Sequence, residues 1–179
     1  MKPIFLIGYM GCGKSTMGRN LSAAMNRDLI DLDHYIEARY HLTVKEIFAE
    51  KGEEAFRKIE QNILHEVGEF ENIIIACGGG TPCYFDNMDF MNEHGTTVFL
   101  NASMEALMRR LSTPKAKSKR PIIANKTNDE LEQFIAEALK QRAPFYNKAK
   151  LIFDSSYLED GVQIHNSVQA LMKLIEKQD

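Results

Sequence analysis

One nine-residue string constrains this chain more than any other: Gly8-Tyr-Met-Gly11-Cys12-Gly13-Lys14-Ser15-Thr16. It matches GxxxxGK[ST], follows an apolar run, Ile4–Ile7, and opens into a helical stripe that begins at Met17 and Leu21. Each residue type has a chemical reason to be there. Glycines let successive backbone N–H groups turn inward around phosphate oxygens without a Cβ clash. The helix N-terminus adds positive dipole, Lys14 reaches the outer phosphates, and Ser15 offers a hydroxyl to Mg²⁺. Gly11, Cys12, Gly13, Lys14, Ser15 and Thr16 are therefore expected to hold a nucleoside triphosphate. A dinucleotide is excluded, because the Rossmann pattern needs GxGxxG and an acid at the next strand end, not Gly-Lys-Ser-Thr.

The rest of the chain reads as strands alternating with helices. Short apolar runs at Ile4–Ile7, Asp28–Leu32, Ile73–Ala76, Thr96–Leu100 and Leu151–Phe153 alternate with stretches of helical period. The clearest helical stripes are Phe56, Ile59, Ile63, Val67 and Leu131, Phe134, Ile135, Ala138, Leu139, with a last one from Ile164 to Ile175. Thr43…Glu46 and Thr127…Glu130 read as capping boxes, and Gly52, Gly68 and Gly95 as helix stops. Strands separated by helices predict an α/β fold covered on both faces. A length of 179 residues predicts a single domain, 1–179. A net charge of −3 gives no footprint of nucleic-acid binding, and no run is long and apolar enough to span a membrane. Three cysteines without a CxxC pair, and an N-terminus without a secretory pattern, lead to the expectation of a cytoplasmic protein.

Other residues stand out against that background. The weak second strand ends Asp31-Leu32-Asp33, and strand alternation would put both carboxylates on one side, either as a metal-facing pair or as caps for the next helix. Gly78-Gly79-Gly80 follows a buried strand, where bare backbone offers N–H donors to a ligand or makes a flexible turn. Arg57 lies beside an apolar stripe, within reach of Glu53 or Glu60 for a surface ion pair. Arg142 continues an apolar face, where it meets an anion or snorkels at a helix end that Pro144 is expected to close. Ser112 to Pro121 carries two prolines, three lysines and Arg120 with no apolar period, as a solvated loop or a lid would. Cys12, beside Lys14 and the ring of N–H donors, is expected to be a reactive thiol.

Taken jointly, Gly8 to Thr16, Asp31-Leu-Asp33, Phe56-Arg57, Gly78-Gly-Gly80, Arg120-Pro121 and Arg142-x-Pro144-x-Tyr146 resemble the shikimate kinases, within the nucleoside-monophosphate-kinase-like P-loop group. The resemblance spans residues 8–146. It implies a three-layer α/β/α fold with a five-stranded parallel sheet in the order 2-3-1-4-5, a mobile lid at about 112–124 and an acceptor-binding helical region at about 33–62. It implies transfer of the ATP γ-phosphoryl group to the 3-hydroxyl of shikimate with Mg²⁺, on the way to chorismate and the aromatic amino acids. Lys14, Asp33 and Arg120 would be catalytic. Ser15 would hold the metal, with Asp31 reaching it through water. Asp33, Arg57, Gly78, Gly79, Gly80 and Arg142 would bind shikimate, the two arginines clamping its carboxylate. ATP and shikimate are the expected partners of a monomer, without nucleic acid or membrane. The chain departs from the family pattern around Arg142, where Gln141 and Lys148 replace acidic residues, and in Arg120-Pro-Ile-Ile123, where the family has leucines. A gluconate kinase of the same fold is the nearest rival, and a regulatory protein without catalysis the more distant one. Asp31-x-Asp33 with Arg57 and the Gly78–Gly80 turn speaks against the first, and intact Lys14, Ser15 and Asp31 against the second.

Overall fold

The computed structural model describes residues 1–178. Among them five strands form one parallel sheet: β1 (Ile4–Ile7), β2 (Asp28–Asp31), β3 (Ile73–Ala76), β4 (Thr96–Asn101) and β5 (Leu151–Asp154), in the spatial order β2-β3-β1-β4-β5. The expected order is the observed one. Every residue of β1 and β3 is buried, and side chains alternate between the two faces, so both faces are covered. The edge strand β2 is only half-buried, which is why its apolar signal is weak.

The helices are α1 (Lys14–Met25), α2 (Leu32–Tyr40), α3 (Val44–Gly68), α4 (Asn87–His94), α5 (Met104–Leu111), α6 (Pro114–Ser118), α7 (Asn128–Tyr146) and α8 (Gly161–Glu176). Both expected capping boxes form, Thr43 with Glu46 and Thr127 with Glu130, satisfying orphan N–H groups at the starts of α3 and α7. The helical run α3 passes over Gly52 rather than stopping there. It turns a corner at that residue, with φ 80° and ψ 171°, a conformation open essentially to glycine alone. The chain lays β3 between β1 and β2, then crosses to the other side of β1 for β4. A crevice opens at the carboxyl ends of the strands where the order reverses.

Three local expectations need correction. Asp31 and Asp33 do not alternate along a strand: β2 ends at Asp31, which caps α2, and Asp33 lies in the first helical turn. Pro144 does not end α7, which continues to Tyr146. Proline has no N–H for the Lys140 carbonyl, but Lys140 is exposed and its carbonyl can turn to water. The ladder resumes with Asn147 N–H donating to the Ala143 carbonyl at 3.0 Å. The basic segment after Ser112 is not structureless. Thr113 caps the short α6 by accepting from Ala116 N–H, Pro114 suits the first helical position, and a 3-10 turn at Pro121–Ile123 follows, with Ala116 and Ile123 buried.

Candidate active site

The phosphate loop leaves β1 and winds into α1, whose first ladder bond runs from Met17 N–H to the Gly13 carbonyl at 2.8 Å. Lys14 Nζ donates to the carbonyls of Gly8 (2.7 Å) and Tyr9 (3.0 Å), so the ammonium is held across the loop. A cavity of about 520 Å³ lies over it, lined by Gly11, Gly13, Lys14, Ser15 and Thr16 on one side and by Asp31, Asp33, Gly78 and Gly79 on the other. Arg110, Arg120, Leu158 and Glu159 also line it. Cys12 does not: its thiol is turned inward at 1% exposure, 2.8 Å from where a Cβ on Gly8 would stand, and its N–H bonds the Tyr9 carbonyl at 3.2 Å. Burial shields this thiol from solvent, which the sequence could not reveal.

Two oxygen donors fit a magnesium ion on the same cavity. Ser15 is exposed, and the Asp31 carboxylate makes only a long capping bond of 3.4 Å from His34 N–H. Hard oxygen donors in small number, completed by phosphate and water, are what Mg²⁺ accepts.

A smaller cavity of about 180 Å³ adjoins the first and shares Asp33, Gly78 and Gly79 with it. Its remaining walls are Val44 and Phe48, before the Gly52 corner, then Phe56, Arg57 and Glu60 after it, and Gly80. Arg57 is paired with both acids the sequence offered as alternatives, Glu53 (3.2 Å) and Glu60 (2.9 Å), and still faces this cavity. Glu60 is 1% exposed and also accepts from the Thr81 hydroxyl at 2.6 Å. A Cβ on Gly80 would stand 2.9 Å from both Nη atoms of Arg57, so only glycine leaves the guanidinium in place. Arg142 comes up to Gly79 instead, 3.2 Å from a Cβ there, and stacks over the Tyr9 ring at 5.3 Å, with no ion-pair partner among the described residues. Lys148, which stands where an acid was expected, is drawn to Asp89 at 3.5 Å.

Burial, then the like charges of Glu60 and Asp31, push the Asp33 carboxyl up to about 6 from its ordinary 3.8, with Lys14 opposing. Charge on Asp33 is costly in the free protein, as befits a group that takes up a proton when a hydroxyl is deprotonated.

Three further side chains support the site, of which Arg110 alone carries no mark in the sequence. Arg110 reaches across the fold to the carbonyls of Gly11 (3.2 Å), Ser155 (3.0 Å) and Ser156 (3.0 Å) and to Glu159 (2.9 Å), tying the phosphate loop to the exit of β5. Tyr146 donates its hydroxyl to the Gly79 carbonyl at 2.6 Å and so fixes the glycine turn from below. Glu60 looked like a helix-surface acid. Its signal was present, three residues after Arg57 on the same helix, but its burial was not.

The shikimate kinase family model matches residues 10–175. A shikimate kinase of Bacteroides thetaiotaomicron is 54% identical over 98% of this chain and 99% of its own length. A crystal structure of shikimate kinase from that organism superposes with a TM-score of 0.93, covering 98% of each chain at 54% identity. Shikimate kinase from Acinetobacter baumannii, solved in complex with shikimate, gives 0.84 at 29% identity, covering 100% of this chain and 95% of the other.

Proposed function

The chain belongs to the shikimate kinase family, and from that membership we propose which of its residues carry the reaction. It is a small-molecule kinase that transfers the γ-phosphoryl group of ATP to the 3-hydroxyl of shikimate, giving shikimate 3-phosphate on the way to chorismate and the aromatic amino acids. The observation that carries the assignment of roles is the meeting of two cavities at Asp33, Gly78 and Gly79, with Lys14 on one side and Arg57 on the other. ATP lies in the larger cavity, its phosphates against the N–H groups of Gly11 to Thr16 and its base toward Arg110 and Leu158. Shikimate lies in the smaller one, its carboxylate clamped by Arg57 and Arg142 and its ring hydroxyls toward the glycine turn.

The acceptor hydroxyl then stands between Asp33 and the γ-phosphorus. As the new P–O bond forms and the bond to the β-phosphate oxygen breaks, the hydroxyl proton passes to the Asp33 carboxylate. The transition state is loose, so placement and neutralisation of charge dominate over base strength. Lys14 leaves the loop carbonyls for the β- and γ-phosphates, and Arg120 swings from its bond to the Ala116 carbonyl (3.2 Å) over the phosphates as residues 112–124 close. Ser15, and Asp31 through water, would hold Mg²⁺, which when bound would neutralise charge on the phosphates. The chain works as a single cytoplasmic domain and a monomer, with residues 33–62 serving the acceptor. No helix among the described residues is long and apolar enough to cross a membrane.

ADP release measured with shikimate, quinate and gluconate in parallel tests the acceptor, and shikimate should be turned over far faster than the others. Arg57→Lys and Arg142→Lys keep charge but lose the planar fork, and each should raise KM for shikimate roughly ten- to a hundredfold with KM for ATP unchanged. With shikimate carboxamide as acceptor the same changes should cost far less. Equal losses with acid and amide would mean that the arginines serve the fold.

A further inference from the structure

Arg57 is held by more than its two acids. Tyr84, just beyond the 3-10 turn at Thr81–Cys83, lays its ring 4.1 Å from the guanidinium carbon. Its hydroxyl donates to Glu53 Oε1 at 2.8 Å, and that same oxygen accepts from Arg57 Nε (3.4 Å) and Nη2 (3.2 Å). Glu60 takes one N–H of Nη1 at 2.9 Å. A guanidinium has five N–H groups. With Nε–H and one N–H on each Nη engaged, one N–H on each Nη is left without a partner among the described residues, on a guanidinium that lines the smaller cavity. Glu53 is an exposed acid on a flexible stem, and alone it would hold Nε weakly. The Tyr84 hydroxyl fixes it, while the Tyr84 ring fixes the plane of the fork.

We propose that Tyr84 is a positioning residue for the acceptor carboxylate: it locks Arg57, directly through its ring and indirectly through Glu53, with the two free N–H groups presented to the smaller cavity. This rests on Arg57 being a carboxylate ligand. Tyr84 itself does not line that cavity, so its effect must pass through Arg57. It also ties the acceptor arginine to the segment that follows Gly80, so that glycine turn and guanidinium are set as one unit.

Tyr84→Leu removes ring and hydroxyl, whereas Tyr84→Phe keeps the ring. Tyr84→Leu should raise KM for shikimate about five- to tenfold, near the range of a partly desolvated cation–π contact. KM for ATP should stay unchanged and kcat should move less than KM. Tyr84→Phe should recover most of the loss. With shikimate carboxamide the Tyr84→Leu penalty should shrink to less than about twofold. Arg57→Lys, run alongside, separates the two ideas. If Arg57→Lys raises KM for shikimate and Tyr84→Leu does not, Tyr84 has no positioning role and Arg57 keeps its own. If Arg57→Lys leaves KM for shikimate unmoved, both fall together. A Tyr84→Leu penalty equal for acid and amide, or accompanied by an equal rise in KM for ATP, would show general damage and overturn the proposal. Direct titration of shikimate into each folded variant gives the same comparison without turnover.

Discussion

In the reaction proposed above, this chain works with its backbone around the phosphates and with its side chains around the acceptor. Gly11 to Thr16 form a contiguous stretch whose N–H groups, helix terminus and one lysine make the phosphate corner. The smaller cavity draws Asp33 from α2, Arg57 and Glu60 from α3 and the turn after β3, while Arg142 of α7 stands against Gly79. A backbone ring is fixed once its turn is fixed, and it carries partial charges that need no counter-ion. A corner of side chains has to hold full charges half out of water, so each needs its own support. The supports are uneven. Arg57 has two carboxylates and three aromatic rings around it, whereas Arg142 has a tyrosine ring and no acid. Asp33 is buried among acids, Glu60 and Asp31 foremost, which is why its charge is disfavoured although Lys14 opposes them.

The sharpest way to break this contrast is Asp33→Asn. Removal of a proton acceptor at the reacting hydroxyl should lower kcat by about 10²–10⁴. The fold should gain. Asp33 titrates near 6 when folded against an ordinary 3.8, so between those values the folded chain holds a proton that the unfolded chain has released. Stability therefore falls as pH rises through that window and stays lowered above it. The asparagine variant escapes this and should be more stable at pH 7.5 by on the order of 2–3 kcal/mol at most, with little difference at pH 4. A melting temperature at pH 7.5 that is unchanged or lower would mean that the acceptor corner does not hold its charge against the preference of the fold.

A somewhat smaller effect is expected in residues 112–124, proposed above as a lid. Among the described residues the Arg120 side chain bonds only the Ala116 carbonyl of its own segment, so Arg120→Ala should leave stability alone while lowering kcat by roughly 10²–10³, as loss of one charge-stabilising donor does. Amide exchange across 112–124 should slow when nucleotide and shikimate are both bound. Equal exchange in the free and ternary states would leave α6 and the turn after it as static surface.

The smallest effect separates the corners by pH. kcat/KM for shikimate should fall as pH drops through about 6, by about twofold at pH 6 and tenfold at pH 5, because Asp33 must be ionised to accept the proton. Binding of ATP alone, which leans on backbone N–H groups, should stay flat over the same range. A matching fall in ATP binding would place the titrating group in the phosphate corner instead.

What the sequence determined by itself is whatever is local. The phosphate loop, the strands that precede and flank it, and the two capping boxes depend on residues within a few positions of one another, and all of those elements form where they read. Gly52 was legible as a break, though not as the corner that sets Val44 and Phe48 across from Arg57. The tertiary structure decided the rest, because contacts between distant segments leave no period in the chain. It ended β2 at Asp31, since that carboxylate caps α2 as soon as the strand stops, and it carried α7 past Pro144, so that Tyr146 can reach Gly79. It turned the Cys12 thiol away from the phosphates and brought Arg110 to the carbonyl of Gly11, 99 residues earlier. Above all it chose between readings of Arg57 that the sequence held open. Arg57 makes ion pairs with both Glu53 and Glu60 and still lines the smaller cavity, because a guanidinium has more donors than those two acids engage.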